Sequence, residues 1–168
     1  MADHDNYDLK IMAELQRDGL LSLEALAERV GLSKTPCWRR VSRLRESGAI
    51  GSTVALLDPK ALGLETIVFV HVKVEKHDPD LFKRVDRALR ELPEVMEAYL
   101  MMGDADYVLR VAVPNVAEFE RFMTDKLHRI AGIKETKSSP ALRQVKYTTE
   151  LPLRPRVSEA QATRKRRR

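Results

Sequence analysis

Apolar positions recur every three or four residues through the first third of the chain and every second residue through several later stretches. The sequence therefore divides into a helical part and a part that mixes strands with helices. Leu9, Ile11, Met12 and Leu15 predict a helix that starts after Asp5 as N-cap and runs to about Arg17, with Gly19 as a stop signal. Leu23, Leu26, Ala27 and Val30 predict a second helix, opened by Ser22 and closed by Gly31. A third starts at Ser33, accepts Pro36 in its first turn, where a missing backbone donor costs little, and continues to Gly48. The β-branched and aliphatic run from Ile50 to Leu57 predicts an attached strand.

Asp58 and Pro59 mark a boundary, because proline favours an extended or turning chain. Beyond it, Thr66, Val68, Val70, Val72 and Val74 alternate with Ile67, Phe69, His71 and Lys73, the period of a strand with one buried face. A helix follows from Asp78-Pro79 to about Leu92 with Leu81, Phe82, Val85, Ala88 and Leu89 inward, then strands at Val95 to Met102 and Tyr107 to Val113. Asn115 caps a helix carrying Phe119, Phe122, Met123, Leu127 and Ile130, and short strands are expected at Ile133 to Lys137 and Ala141 to Tyr147. This β-α-β-β-α-β order is the ferredoxin-like arrangement, so the fold class is α+β: a helix-turn-helix followed by a ferredoxin-like domain.

Composition narrows the function. Hydrophobic residues make up 43% of the 168 and charged ones 33%, a balance that can bury a core. No apolar run approaches the ~20 residues of a membrane span, and the acidic start MADHDNYD lacks the apolar stretch of a secretion signal, so a cytoplasmic protein is expected. The single Cys37 rules out an internal disulfide and a cysteine-based zinc site, and His4, His71, His77 and His128 are scattered without metal-ligand spacing. No cofactor is expected, and with no nucleophile–base pair or phosphate-cradling glycine loop, no catalysis.

The formal charge of +5 is unevenly placed. Residues 1–60 balance to zero, residues 61–153 to minus one, and residues 154–168 carry plus six. Within the neutral first segment, however, Lys34, Arg39, Arg40, Arg43 and Arg45 fall within twelve positions with no acidic residue among them, the signature of a phosphate-facing element. On a helical wheel Cys37, Val41 and Leu44 form one narrow inward arc, and Thr35, Arg39, Ser42 and Arg43 lie opposite, with Arg40 flanking the core. The expected DNA-contact set is Ser33, Lys34, Thr35, Arg39, Arg40, Ser42 and Arg43, with Arg39 and Arg43 best placed to grip guanine or phosphate through the guanidinium fork. A solvated basic face is the plainer alternative. Trp38 is read as packing, with stacking on a sugar or base as its alternative, and Cys37 as buried filler.

The stretch LQRDGLLSLEALAERVGLSKTPCWRRVSRLRESGAI, then VALLDPKALGL, LPEVMEAYLMMGDADYVLRVAVP and QVKYTTELPL, strongly resembles the leucine-responsive/asparagine regulator (Lrp/AsnC) family across nearly the whole chain except the basic tail. The resemblance implies a winged helix-turn-helix over residues 1–57, a linker at 58–63 and a ferredoxin-like effector-binding and oligomerisation domain at 64–153; the basic segment 154–168, outside the resemblance, has little to bury and is expected to be a disordered tail. It implies a homodimer that assembles to an octamer, double-stranded DNA as partner, and control of amino-acid metabolism genes by an amino-acid effector, cysteine or a branched-chain amino acid. The family's effector turn corresponds to Gly103, Asp104, Ala105, Asp106 and Tyr107, with Leu100, Met102, Ser138, Ser139 and Pro140 completing the pocket. A carboxylate there can hold a ligand ammonium and a glycine turn can offer amides to a ligand carboxylate. Pro140 departs from the β-branched residue often found there, and read by spacing alone Gly-Asp-x-Asp is an ordinary hairpin turn. Two other readings of this layout are a tetrapyrrole-binding decarboxylase and an architectural DNA-binding protein of low specificity. The tail is expected either to add phosphate contacts or to be a solvated extension.

Overall fold

The computed structural model describes residues 4–153. They form two units: residues up to Ala55 together with those from Lys146 onward, and Leu56–Val145.

The first unit is built on α1 (Asn6–Arg17), α2 (Leu23–Val30) and α3 (Lys34–Glu46). Asp5 caps α1 through a capping box with Asp8, and the Ser22 hydroxyl caps α2 at the Ala25 amide. Gly31 closes α2 at φ 72°, a left-handed conformation that costs glycine little and lets the chain turn at once into α3. Ile11, Leu26, Ala27, Val30, Cys37, Val41 and Leu44 make one core, all at most 8% exposed. The strand expected from Ile50 to Leu57 is absent. Ile50 packs on the helices, but residues 51–58 take no regular structure and Val54, Leu56 and Leu57 are exposed. The segment has no ladder partner among the described residues, and β-propensity cannot replace one.

The second unit contains β1 (Thr66–Val74), α4 (Pro79–Arg90), β2 (Val95–Leu100), β3 (Tyr107–Val113), α5 (Val116–Asp125) and β4 (Ile133–Pro140). All pairings are antiparallel and the order is β2-β3-β1-β4, the ferredoxin-like sheet. Alternation in β1 sends Val68, Val70, Val72 and Val74 against Leu81, Val85 and Leu89 of α4 and Phe122 and Met123 of α5. The opposite face carries Ile67, Phe69, His71 and Lys73.

Two expected elements differ. The apolar spacing that suggested one helix through Ile130 is split: α5 ends at Asp125 and Leu127–Arg129 form a 3₁₀ turn, which still buries Leu127 completely. The final strand is a single β4 extending to Pro140, and the strand expected from Ala141 to Tyr147 is missing. The Ala141 amide donates to the Ile67 carbonyl (2.9 Å), but β1 starts at Thr66, so the segment beyond has no strand to pair with among the described residues.

The segment after Lys146 was expected within the effector domain and instead lies on α1. Gln16 exchanges two hydrogen bonds with the Leu151 backbone (2.9 and 3.0 Å), and Arg17 Nε donates to Glu150 at 2.9 Å. The tail expected to be basic and disordered, 154–168, lies outside the described residues.

Candidate DNA-binding face and effector groove

The third helix presents its sequence as two faces. Cys37, Val41 and Leu44 point into the core, while Ser33, Lys34, Thr35, Arg39 and Arg43 are exposed and Ser42 is half-buried. Ser33 has the extended backbone of an N-cap (φ −80°, ψ 162°), yet its side chain makes no capping bond, so the hydroxyl is left for another partner. Lys34 pairs with Glu24. Arg39 and Arg45 have no ion pair among the described residues. Trp38 is 56% exposed on the outward side, which overturns the packing reading: the narrow inward arc is already filled by Cys37, Val41 and Leu44. Burial raises the Cys37 thiol pKa, which favours the inert protonated form.

Arg40 differs from its neighbours. Its Nη1 donates to Asp8 Oδ1 (2.8 Å) and Asp5 Oδ2 (2.7 Å), and its guanidinium lies over the Tyr7 ring at 5.4 Å. The hydrogen bonds it donates to Asp8 and then to Asp5 raise its pKa further, so it is a fixed cation turned towards α1. Sequence reasoning placed Arg40 at the edge of the core arc but had no means of seeing the two carboxylates beside it. Arg43 shares Asp8 through Nη2 (2.6 Å) yet keeps 59% of its side chain exposed.

In the second unit the expected effector residues do not form one cluster. The β2–β3 loop is closed by Met101 N–H donating to the Asp106 carbonyl (2.8 Å), and Gly103 adopts φ 129°, which a side chain would strain. Met102, Asp104 and Ser139 meet in a groove of about 550 Å³ on the open face of the sheet. Leu100 lines a different groove, of about 350 Å³, beside Asp86, Arg90, Glu97 and Tyr107. Ser138 and Pro140 pair with Val70 and Val68, so they lie on the helix-covered side of the sheet edge and line neither groove. Asp106 turns inward: Oδ2 accepts the Val74 amide at 2.8 Å and Oδ1 lies 2.8 Å from His77 Nε2. Both of its oxygens are thus engaged within the protein.

The open-face groove adds His71, Lys73, Glu135 and Lys137, which the sequence reading did not place at the site. The signal was partly present, because the β1 alternation already puts His71 and Lys73 off the core face. What was missing is the pairing of His71 with Lys137 and Lys73 with Glu135 across β1 and β4. In the smaller groove the Tyr107 hydroxyl donates to Asp86 (2.7 Å), and burial, reinforced by that bond, keeps the phenol protonated. Among the described residues no group of three or more His, Cys, Asp or Glu could hold a metal ion, and no helix is long and apolar enough to cross a membrane.

Comparison with known proteins places this layout. The profile of the Lrp/AsnC ligand binding domain matches residues 67–151, and a winged helix-turn-helix DNA-binding profile matches residues 4–50. The chain belongs to the Lrp/AsnC family. It is 40% identical over 149 residues to the DNA-binding transcriptional activator DecR of Escherichia coli K12, covering 89% of this chain and 98% of that one. It is 36% identical over 154 residues to the leucine-responsive regulatory protein of the same strain, covering 92% and 94%. A transcriptional regulator from Neisseria meningitidis, solved as a complex with L-Met, superposes with a TM-score of 0.85 at 33% identity, covering 90% of this chain and 97% of that one. The chain is therefore a transcriptional regulator that joins a winged helix-turn-helix to an Lrp/AsnC ligand-binding domain.

Proposed function

We propose that this Lrp/AsnC regulator reads double-stranded DNA with the exposed face of α3 and adjusts that binding to an amino acid held in the open-face groove. The observation that carries the first half is the division of α3 itself: Cys37, Val41 and Leu44 buried, Ser33, Lys34, Thr35 and Arg39 presented outward. A recognition helix enters the major groove with its N-terminal residues, and an unpaired arginine there can bind guanine O6 and N7 together. Ser42 and Arg43 extend the contact along the same side.

The groove chemistry suits a zwitterion. Lys73 and Lys137 can bind a carboxylate, Asp104 and Glu135 an ammonium, and Met101, Met102 and Val108 an apolar side chain. The L-Met bound to the Neisseria relative supports an amino acid as effector here. Gly103 and Asp106 shape the loop that carries Met102 and Asp104. Leu100, Ser138 and Pro140 stand outside the groove and take no part in this reading.

A homodimer assembling to an octamer remains the proposed state. A sheet covered on one face and open on the other, with Phe69, Tyr99 and Met101 exposed, supports self-association. The proposed role is regulation rather than catalysis, and it is exercised where the chromosome is.

The test is selection from a pool of random duplexes with the full chain. Enrichment of an inverted repeat whose half-sites lie about one helical turn (~34 Å) apart is expected. Recovery of unenriched DNA would instead support the low-specificity architectural reading. A thermal-shift screen of the twenty amino acids, repeated with Lys73→Ala, tests the groove: the stabilising amino acid should lose its effect in that variant.

A further inference from the structure

Asp8 is the one buried charged residue among those described, fully excluded from solvent in the first turn of α1. Both its oxygens face α3: Oδ1 accepts from Arg40 at 2.8 Å and Oδ2 from Arg43 at 2.6 Å. Oδ2 also accepts the Asp5 amide at 3.2 Å, and Asp5 Oδ2 takes a second bond to Arg40. A buried carboxylate satisfied by two guanidinium groups from one neighbouring helix is more than a helix cap, because capping needs only the amide contact.

We propose that Asp8 is a positioning residue for DNA recognition, withdrawing Arg40 from the phosphate-contacting set and holding Arg43 by one nitrogen so that the rest of its fork points outward in a single direction. This rests on the reading of α3 as the DNA-binding face.

The reasoning is electrostatic and conformational. Asp5 and Asp8 cancel the charges of Arg40 and Arg43, so the free cations of α3 are Arg39 and Arg45 among the described residues. Fewer free cations mean weaker sequence-independent binding and a shallower salt dependence. An arginine already ordered on a carboxylate gives up less rotamer freedom on meeting a base edge, which favours the matched site over others. Asp8 thus exchanges indiscriminate attraction for discrimination.

Asp8→Asn keeps the side-chain shape and removes the charge. In the full chain, affinities for a duplex selected by the native protein and for a scrambled duplex of equal length are measured across a potassium chloride series. The expected result is a fall in the selected-to-scrambled ratio of about tenfold. The log–log salt slope on the scrambled duplex should steepen by about one, as Arg43 loses its carboxylate and becomes available to phosphates while Asp5 still holds Arg40. An unchanged ratio, or equal weakening on both duplexes with the native slope, overturns the proposal, since a purely structural role predicts the latter. Arg43→Lys keeps the charge but not the fork, and should lower the ratio with Asp8 intact. Should Asp8→Asn fail to fold, a native ratio in Arg43→Lys overturns the proposal by itself. Arg39→Ala in the same series separates the two failures: if it weakens selected-duplex binding while Asp8→Asn and Arg43→Lys behave as native, the helix reads DNA and only the positioning role is lost; if Arg39→Ala also has no effect, the reading of α3 fails.

Discussion

Replacing Asp106 with alanine should destabilise the ligand-binding unit in the absence of any ligand. Pairing between β1 and β4 shifts register between Lys73 and Val74, and the β1–β3 ladder ends at Val72 opposite Tyr107. The amide of Val74, a residue only 5% exposed, therefore relies on Asp106 Oδ2, 2.8 Å away. Leaving a buried donor unsatisfied costs about 1–3 kcal/mol. The contact with His77 adds little, because the imidazole is 78% exposed and surface pairs contribute about 0–1 kcal/mol. At roughly 4 °C or more per kcal/mol for a domain of this size, the midpoint should fall by at least about 4 °C. Differential scanning calorimetry of Asp106→Ala, Asp106→Asn and His77→Ala without ligand is the assay. Asp106→Ala should fall furthest, and Asp106→Asn less, since the amide oxygen still accepts from Val74. A native midpoint in Asp106→Ala, with loss of amino-acid-induced stabilisation, would refute this and return the carboxylate to direct contact with the effector.

Three further outcomes are expected. Leu44→Ala, at a site 1% exposed in the core that also holds Ile11 and Val41, should cost about 2–5 kcal/mol in urea unfolding followed by circular dichroism, and DNA binding should fall with it. The Asp5 carboxyl is opposed by partial desolvation but held below its usual pKa by the Asp8 amide, Arg40 and the Tyr7 amide, so its stabilisation is present above about pH 4 and lost as pH falls through the depressed folded value. The gap of about 1 kcal/mol between the native protein and Asp5→Ala at pH 7 should accordingly close in acid, read by urea melts at pH 7, 4 and 2.5. Deleting residues 154–168, which carry a net plus six, should flatten the salt dependence of binding to a scrambled duplex, and an unchanged slope would assign the tail no phosphate contact.

Local signals made much of the fold legible. Asp5, Ser22 and Asn115 each cap the helix they were expected to open, and the valines of β1 are buried in strict alternation. These features depend on neighbours a few residues away. What escaped depends on distant partners. Nothing at Arg40 announces that α1 brings Asp5 and Asp8 to its guanidinium, and nothing in Gly-Asp-x-Asp distinguishes a carboxylate facing a ligand from one that completes a bulged strand. The runs at Ile50 and Ala141 have β-propensity without a strand to pair with among the described residues. The segment at Leu151 shows no sign in its own composition that Gln16 will claim its backbone. Of the pocket residues suggested by family likeness, Met102, Asp104 and Ser139 line one groove, and the alternation of β1 hinted at Lys73, but Glu135 and Lys137 join them only through strand register.

Proximity of α3 to DNA can be measured without assuming any particular contact. A photo-crosslinking residue is placed at Thr35, exposed at the start of α3, or at Glu120, exposed on α5, and the full chain is irradiated with a selected duplex. Covalent protein–DNA product from position 35 and not from position 120 is the predicted result. Equal labelling from both, or labelling from 120 alone, would contradict the account.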